Sequence, residues 1–267
     1  MPKLFQLDHE LRDTMEEVAA TSIAVVTVGV EANVVGWELE FHSHTKTQLM
    51  MSIAGVGLCE AEGGVWIVPP GAAILIPAGV EHRVAVTGKI EGYAVFIVGD
   101  EHRGLPFSTT TISVSPLMRE LIVRSAQFPT DYAREGIESR VMDVLMDEIA
   151  AASTGGLHLP MPSDPRLRAM FQSLMANPAE RGDIKSWSRR AGFSERTFAR
   201  LIAAETGMSF GRWRQRLNII LALQWMTAGA TVETVAFDLG YENVGSFITM
   251  FRKAMGTTPA RYVAEHP

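Results

Sequence analysis

Two groups of side chains in this 267-residue sequence have the types and spacing to do chemistry. The first is His42-x-His44-x3-Gln48, joined by His82 further along the chain. Residues two apart on an extended strand face the same side, so His42 and His44 share a face, and Gln48 keeps that parity if the strand continues. His82 belongs to another strand, and closure of a β-barrel would bring it near. Three neutral imidazoles suit Zn, Fe, Ni or Cu, and a Gln carbonyl is a weaker, neutral fourth ligand than a carboxylate. Such a set leaves a divalent metal its full positive charge and favours an anionic small molecule at an open position. The same four side chains could instead be the polar lining of a metal-free pocket for a sugar-like or drug-like molecule.

The second group lies in a duplicated stretch. Ile184, Trp187, Ala191, Gly192 and Phe193, followed by Phe198, Leu201, Ile202 and Gly207, recur as Val232, Val235, Leu239, Gly240 and Tyr241, followed by Phe247, Met250, Phe251 and Gly256. Each copy reads as a short amphipathic helix, a turn at glycine and a second helix, the helix-turn-helix pattern expected at 184–205 and 232–255. Gly192 and Gly240 suit a left-handed turn, and Ser194 is a good N-cap for the second helix of its copy. On that second helix, 195–205, Glu195, Arg196, Thr197 and Arg200 face away from Phe198, Leu201 and Ile202. Such a helix can enter the DNA major groove, where Arg makes bidentate bonds to guanine worth roughly 1–3 kcal/mol of discrimination. The corresponding helix, 243–255, presents Asn243, Val244, Ser246 and Thr249, then Arg252 and Lys253. It is poorer in long donors and better suited to phosphate and shape contacts. A helix at 210–226 joins the copies. At about 1.5 Å per residue it spans roughly 25 Å, compatible with successive major grooves about 34 Å apart.

Charge supports the division of labour. The net charge is −6, yet residues 1–164 hold 10 Lys/Arg and 22 Asp/Glu for −12, and residues 165–267 hold 14 and 8 for +6. A basic module joined to an acidic one is expected when one end touches phosphates.

The elements that must position these groups follow from periodicity. Short β-rich runs at 21–30, 34–42, 48–54, 65–68, 73–76, 84–86 and 93–98, separated by glycines, prolines and charged tips, predict a sandwich or barrel. From residue 115 the period becomes helical. Leu117, Leu121, Ile122 and Ser125 share one face, and Ile137, Val141, Val144, Leu145 and Ile149 form a stripe. That stripe could be buried on the β domain or on a partner subunit, making Ile137, Val141 and Leu145 a dimer or signal surface. The Gly-, Pro- and Ser-rich segment 153–165 reads as a flexible linker, and the rest reads as helices.

Specific resemblances add to this. Residues 240–262, GYENVGSFITMFRKAMGTTPARY, with GFSERTFARLIAAETGMSF upstream and the helix start Trp213–Arg216, resemble the AraC/XylS family of transcription regulators over roughly 166–263. The resemblance implies two helix-turn-helix subdomains on a shared helix. It places Arg196 and Arg200 at base-contacting positions, and Arg216 and Arg252 in a structural or phosphate-contacting set. Val244 and Gly245 stand where many members carry polar side chains, which weakens base readout by the second copy. At the other end, G-x5-H-x-H-x3-Q-x6-G (Gly36, His42, His44, Gln48, Gly55) and G-x5-P-x-G-x2-H (Gly71, Pro77, Gly79, His82) resemble the paired motifs of the cupin superfamily. Gln48 replaces the usual glutamate, and Val86 replaces an asparagine.

The expected architecture is two-domain. An all-β cupin-like sensing barrel covers 1–112 with helices at 113–152, the linker follows at 153–165, and an all-α DNA-binding domain covers 166–267. The expected function is a transcription regulator binding double-stranded promoter DNA in response to a small-molecule effector, as a homodimer, engaging RNA polymerase if it activates. The alternative is a metal-dependent cupin oxygenase or isomerase fused to a DNA-binding module. One cysteine, Cys59, excludes an intrachain disulfide. With no signal-peptide core in the first ten residues and no apolar run of membrane length, a cytoplasmic protein with no membrane partner is expected, and with no Ser–His–Asp order, phosphate-binding glycine loop or CxxC spacing, no enzyme activity is expected. Met50 and Met51 are read as core, Trp37 and Trp66 as core or pocket wall, Glu81 as a loop-tip charge, and His9, His102 and His158 as solvated.

Overall fold

The computed structural model describes residues 4–6, 18, 21, 23–61, 64–98, 104–155 and 158–265, with backbone alone for 4–6, 32–38, 87–88 and 265. His9, His102 and the Trp37 side chain lie outside the described residues. The chain divides into two compact units, Met1–Glu62 with Trp66–His158, and Gly63–Val65 with Leu159–Pro267.

The first unit is built on two long antiparallel strands, β2 (Val25–His42) and β7 (His82–Ile97), which pair from Val25↔Ile97 to His42↔His82. Strand β1 (Leu4–Gln6) adds to β2 in parallel. The other edge of β7 is shared. Its later half pairs with β3 (Thr47–Ala54) and its first five residues pair with β4 (Gly57–Ala61). Beyond them lie β5 (Gly64–Val68), β6 (Ala72–Ile76) and β8 (Thr110–Ser113), in the order β8-β6-β3-β7-β4-β5. Register shifts in β2 between Val34 and Trp37 and between Leu39 and His42 mark where it bends, as bulges do in small barrels. This is the cupin-like β unit expected. The runs at 21–30 and 34–42 fuse into one strand, however, and so do those at 84–86 and 93–98. Each long strand supplies the other's backbone partners through the interruption, so polar and glycine residues cross it without a turn. Strand β4 was not foreseen.

Helices α1 (Pro116–Ser125) and α2 (Ile137–Ala151) pack on the sheet. Met118, Ile122, Met142, Leu145 and Ile149 share one core with Leu49, Leu75, Val95 and Ile97. Burying one Leu or Ile is worth roughly 1.5–3 kcal/mol, so these side chains hold both helices firmly. The Tyr132 hydroxyl also donates to the Val25 carbonyl at 2.8 Å. Of the two outcomes open to the α2 stripe, Leu145 and Ile149 take burial on the β domain. The stripe 137–141–144–145–149 is wider than one helix face, so Leu145 and Ile149 turn inward, while Ile137 and Val144 stay 67% and 45% exposed.

The segment expected to be a flexible linker is pinned at both ends. Thr154 bridges Ile112, and the Gly155 N–H donates to the Thr111 carbonyl. Strand β9 (His158–Pro160) follows. The Pro160 carbonyl then accepts from the Trp213 indole at 2.8 Å, and the Glu205 carboxylate accepts from Ser163 and Asp164 N–H groups. His158 is not simply solvated either, because its ring stacks on Trp66 at 4.3 Å.

The second unit holds seven helices among its described residues: α3 (Pro165–Ala176), α4 (Ile184–Arg190), α5 (Glu195–Thr206), α6 (Phe210–Thr227), α7 (Val232–Asp238), α8 (Val244–Met255) and α9 (Pro259–Glu265). Most faces of α6 are buried, through Trp213, Leu217, Asn218, Ile219, Ile220, Ala222, Leu223 and Met226, as befits a shared central helix. On one side Phe171, Trp187, Phe198, Phe210 and Trp213 form an aromatic core. On the other, Tyr241, Phe247, Phe251 and Tyr262 form its counterpart.

The loop 177–183 ties the copies together. The α6 residue Arg214 donates to the Glu180 and Pro178 carbonyls, and Arg190 of α4 pairs with the Glu180 carboxylate. Arg181 reaches across to the Gly240 carbonyl at 2.7 Å and the Glu242 carboxylate at 2.8 Å. Asn218 of α6 donates to the Tyr241 hydroxyl at 3.1 Å.

Candidate nucleic-acid interface and histidine cluster

The duplication extends to the atoms that start and stop each helix. Asp183 and Thr231 cap α4 and α7 through the N–H groups of Ser186 and Thr234. Ser194 and Asn243 cap α5 and α8 through those of Thr197 and Ser246. Gly207 and Gly256 end α5 and α8 in the left-handed conformation. In the turns, Phe193 N–H bonds the Ser188 carbonyl and Tyr241 N–H bonds the Ala236 carbonyl. These are the long bonds of a Schellman motif, with Gly192 and Gly240 at its left-handed position. Each unit is thus a helix, a sharp turn and a second helix whose orphan N–H groups are capped.

On α5, Phe198 and Ile202 are buried and Glu195, Arg196 and Arg200 are exposed. Neither Arg196 nor Arg200 has a hydrogen bond or ion pair among the described residues, so both guanidinium groups keep all five donors for a ligand. Thr197 is more committed than expected. Its N–H donates to Ser194 Oγ, and its own hydroxyl oxygen accepts from Ser194 at 2.9 Å. On α8, Ser246, Thr249, Arg252 and Lys253 are exposed. Asn243 spends its Oδ1 on the cap and keeps its amide N–H groups, and Thr249 donates back to the Gly245 carbonyl at 2.8 Å. Arg252 and Lys253 lie in the last turn of α8, away from the end that would face base edges. Arg216 differs from both: burial lowers its pKa, which marks it as part of the packed helix. Sequence reasoning missed Arg181, which nothing in the motif separates from other surface arginines.

The other group also converges. His42 and His82 are direct register partners on β2 and β7, with ring centroids 4.4 Å apart. The His44 ring lies 5.1 Å from that of His82, and one ring nitrogen from each of the three lies within 4.8 Å of the others. Strand parity is not the cause. β2 ends at His42, His44 sits in the following loop, and bends at Thr45 and Lys46 precede Gln48 on β3. The loop is held by the Gly79 N–H donating to the His44 carbonyl at 2.9 Å, so the glycine turn preceding His82 fixes His44 as well.

The hydrogen bonds assign the tautomers. His42 Nδ1 faces the Glu40 carbonyl at 2.9 Å, His44 Nδ1 the Lys46 carbonyl at 2.6 Å, and His82 Nδ1 the Val80 carbonyl at 2.9 Å. A carbonyl only accepts, so each Nδ1 carries the proton, and in a neutral ring Nε2 is then the unprotonated nitrogen. Burial pushes the His82 pKa down to about 4, against the pull of the Val80 carbonyl, which keeps that ring neutral. The terminal amide of Gln48 lies 3.0 Å from His44 Nε2 and 3.2 Å from His82 Nε2. With ligands about 2.0–2.1 Å from a tetrahedral metal, neighbouring ligand atoms lie about 3.3 Å apart. Protonation at Nδ1 by a backbone carbonyl is also the usual support of a metal-bound imidazole. The residues therefore fit a divalent metal held by His42, His44 and His82 through Nε2 and by Gln48 through Oε1.

Comparison with known proteins agrees with both halves. Residues 187–265 match a family described as a helix-turn-helix domain, and residues 25–184 match the AraC-like ligand binding domain. The chain is 42% identical over 223 residues to the HTH-type transcriptional regulator NimR of Escherichia coli K12, covering 84% of this chain and 81% of that protein. It is 29% identical over 103 residues to the HTH-type transcriptional regulator RipA of Corynebacterium glutamicum, covering 39% of this chain and 31% of that one. Among solved structures, ToxT from Vibrio cholerae aligns at 9% identity and a TM-score of 0.38, covering 90% of this chain and 98% of that one. The two matched domains and the NimR likeness, following the duplicated units, establish that the chain belongs to the AraC family of DNA-binding transcription regulators, with a ligand-binding β domain ahead of its helix-turn-helix pair.

Proposed function

We infer that the protein reads promoter DNA mainly through α5, with Arg196 and Arg200 on base edges, Thr197 as a short-range contact and Glu195 beside them. Asn243, Ser246 and Thr249 of α8 contact the neighbouring groove, and Arg252 and Lys253 its phosphates. The observation that carries this is the pair of unengaged guanidinium groups on the exposed face of a capped second helix. The test starts from DNA fragments selected with the wild-type protein out of a random library. Arg196→Ala and Arg200→Ala should each weaken binding by roughly 5- to 150-fold and relax preference at particular base pairs, following about 1–3 kcal/mol per bidentate contact. Unaltered affinity and unaltered base preference in both variants reject the assignment.

The β domain acts in this reading as a sensor of a small molecule in the cytoplasm, not as an enzyme. Gln48 in place of a carboxylate leaves the histidine cluster a neutral set of donors, which favours binding over the oxygenase or isomerase alternative. The working form is a homodimer. An antiparallel pairing of two α2 helices centred on Val144 sets Ile137 opposite Ala151, beside Val141, and Arg140 near the partner's acidic turn. An activator of this kind would also engage RNA polymerase.

A further inference from the structure

The histidine site has a property that a resident metal centre does not need: Gln48 can satisfy it in two ways. Gln48 and His82 are 2% and 0% exposed, and a buried polar group left without a partner costs about 1–3 kcal/mol. Because each Nδ1 is spent on a carbonyl, the Nε2 atoms of His44 and His82 are acceptors whenever the rings are neutral. With Oε1 turned toward two neutral rings, three lone-pair bearers meet at 3.0 and 3.2 Å with no hydrogen between them, an arrangement that a bound cation would satisfy. A half-turn of the amide puts Nε2 of Gln48 in the same place, and its two N–H groups then donate to both rings. A glutamate in this position has no such second state.

We propose that Gln48 is a two-position switch and that a divalent transition-metal ion is itself the signal this regulator senses, bound reversibly by His42, His44, His82 and the Gln48 carbonyl. The proposal rests on the reading of the β domain as the sensor. With metal bound, Oε1 joins three imidazoles in an all-neutral ligand set, which holds the ion less tightly than a set containing a carboxylate. With metal gone, the rotated amide closes the site with two hydrogen bonds, so the empty state is ordered and the ion can exchange. Coupling to DNA follows if the two amide positions favour different states of the whole chain.

The test uses full-length protein stripped with a chelator. ZnCl2 is titrated calorimetrically, Co2+ absorption reports coordination, and DNA affinity is measured in parallel on a fragment selected from a random library. Wild type should bind one ion per chain, and Gln48→Glu should bind it at least about tenfold tighter. His44→Ala and His82→Ala should each weaken binding at least about tenfold, and His44, in a loop, guards against a variant that fails to fold. Saturating Zn2+ should change wild-type DNA affinity by about fivefold or more, within the usual range of allosteric coupling, and Gln48→Glu should respond at lower Zn2+. In the metal-free protein the side-chain amide protons of 15N-labelled Gln48 should be protected from exchange, and Zn2+ should abolish that protection. Absence of metal binding in both wild type and Gln48→Glu overturns the site, and exchanging amide protons in the metal-free form overturn the switch. Metal binding with unchanged DNA affinity overturns the signalling role, while DNA binding without Zn2+ separately tests the regulator reading.

Discussion

The two turn glycines offer an internally controlled experiment. Gly192 and Gly240 occupy equivalent left-handed positions, with φ of +73° and +82°. Replacing either by alanine forces an L residue into that conformation, at about 1–2 kcal/mol. The surroundings then separate them. A Cβ on Gly192 meets nothing within 4 Å, whereas one on Gly240 would lie 2.9 Å from the Ala179 carbonyl oxygen and 3.1 Å from its Cα. Those are backbone atoms of the 177–183 loop, which Arg214 and Arg181 hold in place, so they cannot swing aside as a flexible side chain would. Overpacking of this kind adds about 1–3 kcal/mol. Gly192→Ala should therefore cost about 1–2 kcal/mol, and Gly240→Ala about 2–5 kcal/mol. Urea unfolding followed by far-ultraviolet circular dichroism measures both. Equal losses, or a larger loss at Gly192, would refute the claim that the second turn is seated on this loop.

Other expectations concern separate parts of the molecule. Ile137→Asp with Val144→Asp should leave the fold intact, since both side chains are exposed, and convert a dimer to a monomer in sedimentation. Leu145→Ala should instead destabilise the β domain by about 2–5 kcal/mol, seen in its thermal midpoint. Lys253→Ala should weaken DNA binding evenly across sequences and reduce the salt slope by about one, so loss at a single base pair would contradict its phosphate role. Burial pushes the Tyr262 hydroxyl up to about 12. The unfolded chain ionises first, near pH 10, so this group's stability is complete below that pH and is lost between about 10 and 12. Tyr262→Phe should show a shallower alkaline loss, by up to about 2–3 kcal/mol. Bonds from the Asp164 N–H and from Ser163 hold the Glu205 carboxyl below its ordinary pKa. That stabilisation is present above the unfolded pKa and fades as pH falls through the folded one. Glu205→Gln should lower stability at neutral pH and flatten its acid dependence.

The helical half of the fold was legible because its signals are local. Ser194, Gly192, Gly207 and the Phe198–Ile202 spacing each state their own backbone requirement, and the duplication states it twice. The β half was legible in class but not in detail. Whether the chain turns or continues at a break such as Glu31–Asn33 is decided by β7, some sixty residues away, and no window around the break contains that information. Histidine convergence was legible as a motif, while its cause was not. It depends on the register pair His42↔His82 and on the Gly79 N–H reaching His44, both long-range. The stripe on α2 left its partner open because five apolar residues covering more than one face do not say which face turns inward.

The yoke formed by residues 177–183 bears on how promoters for this protein can change. Each added base pair displaces the next box by about 3.4 Å and swings it by about 35° around the duplex axis. A reader with two independent heads on a slack tether could follow such a shift. Here Arg181, Arg214 and Ala179 bolt one head to the other through main-chain atoms. Point changes within a box should therefore be tolerated in graded fashion, while an insertion or deletion between boxes should be nearly absent from the promoters this protein serves, because it abolishes recognition outright.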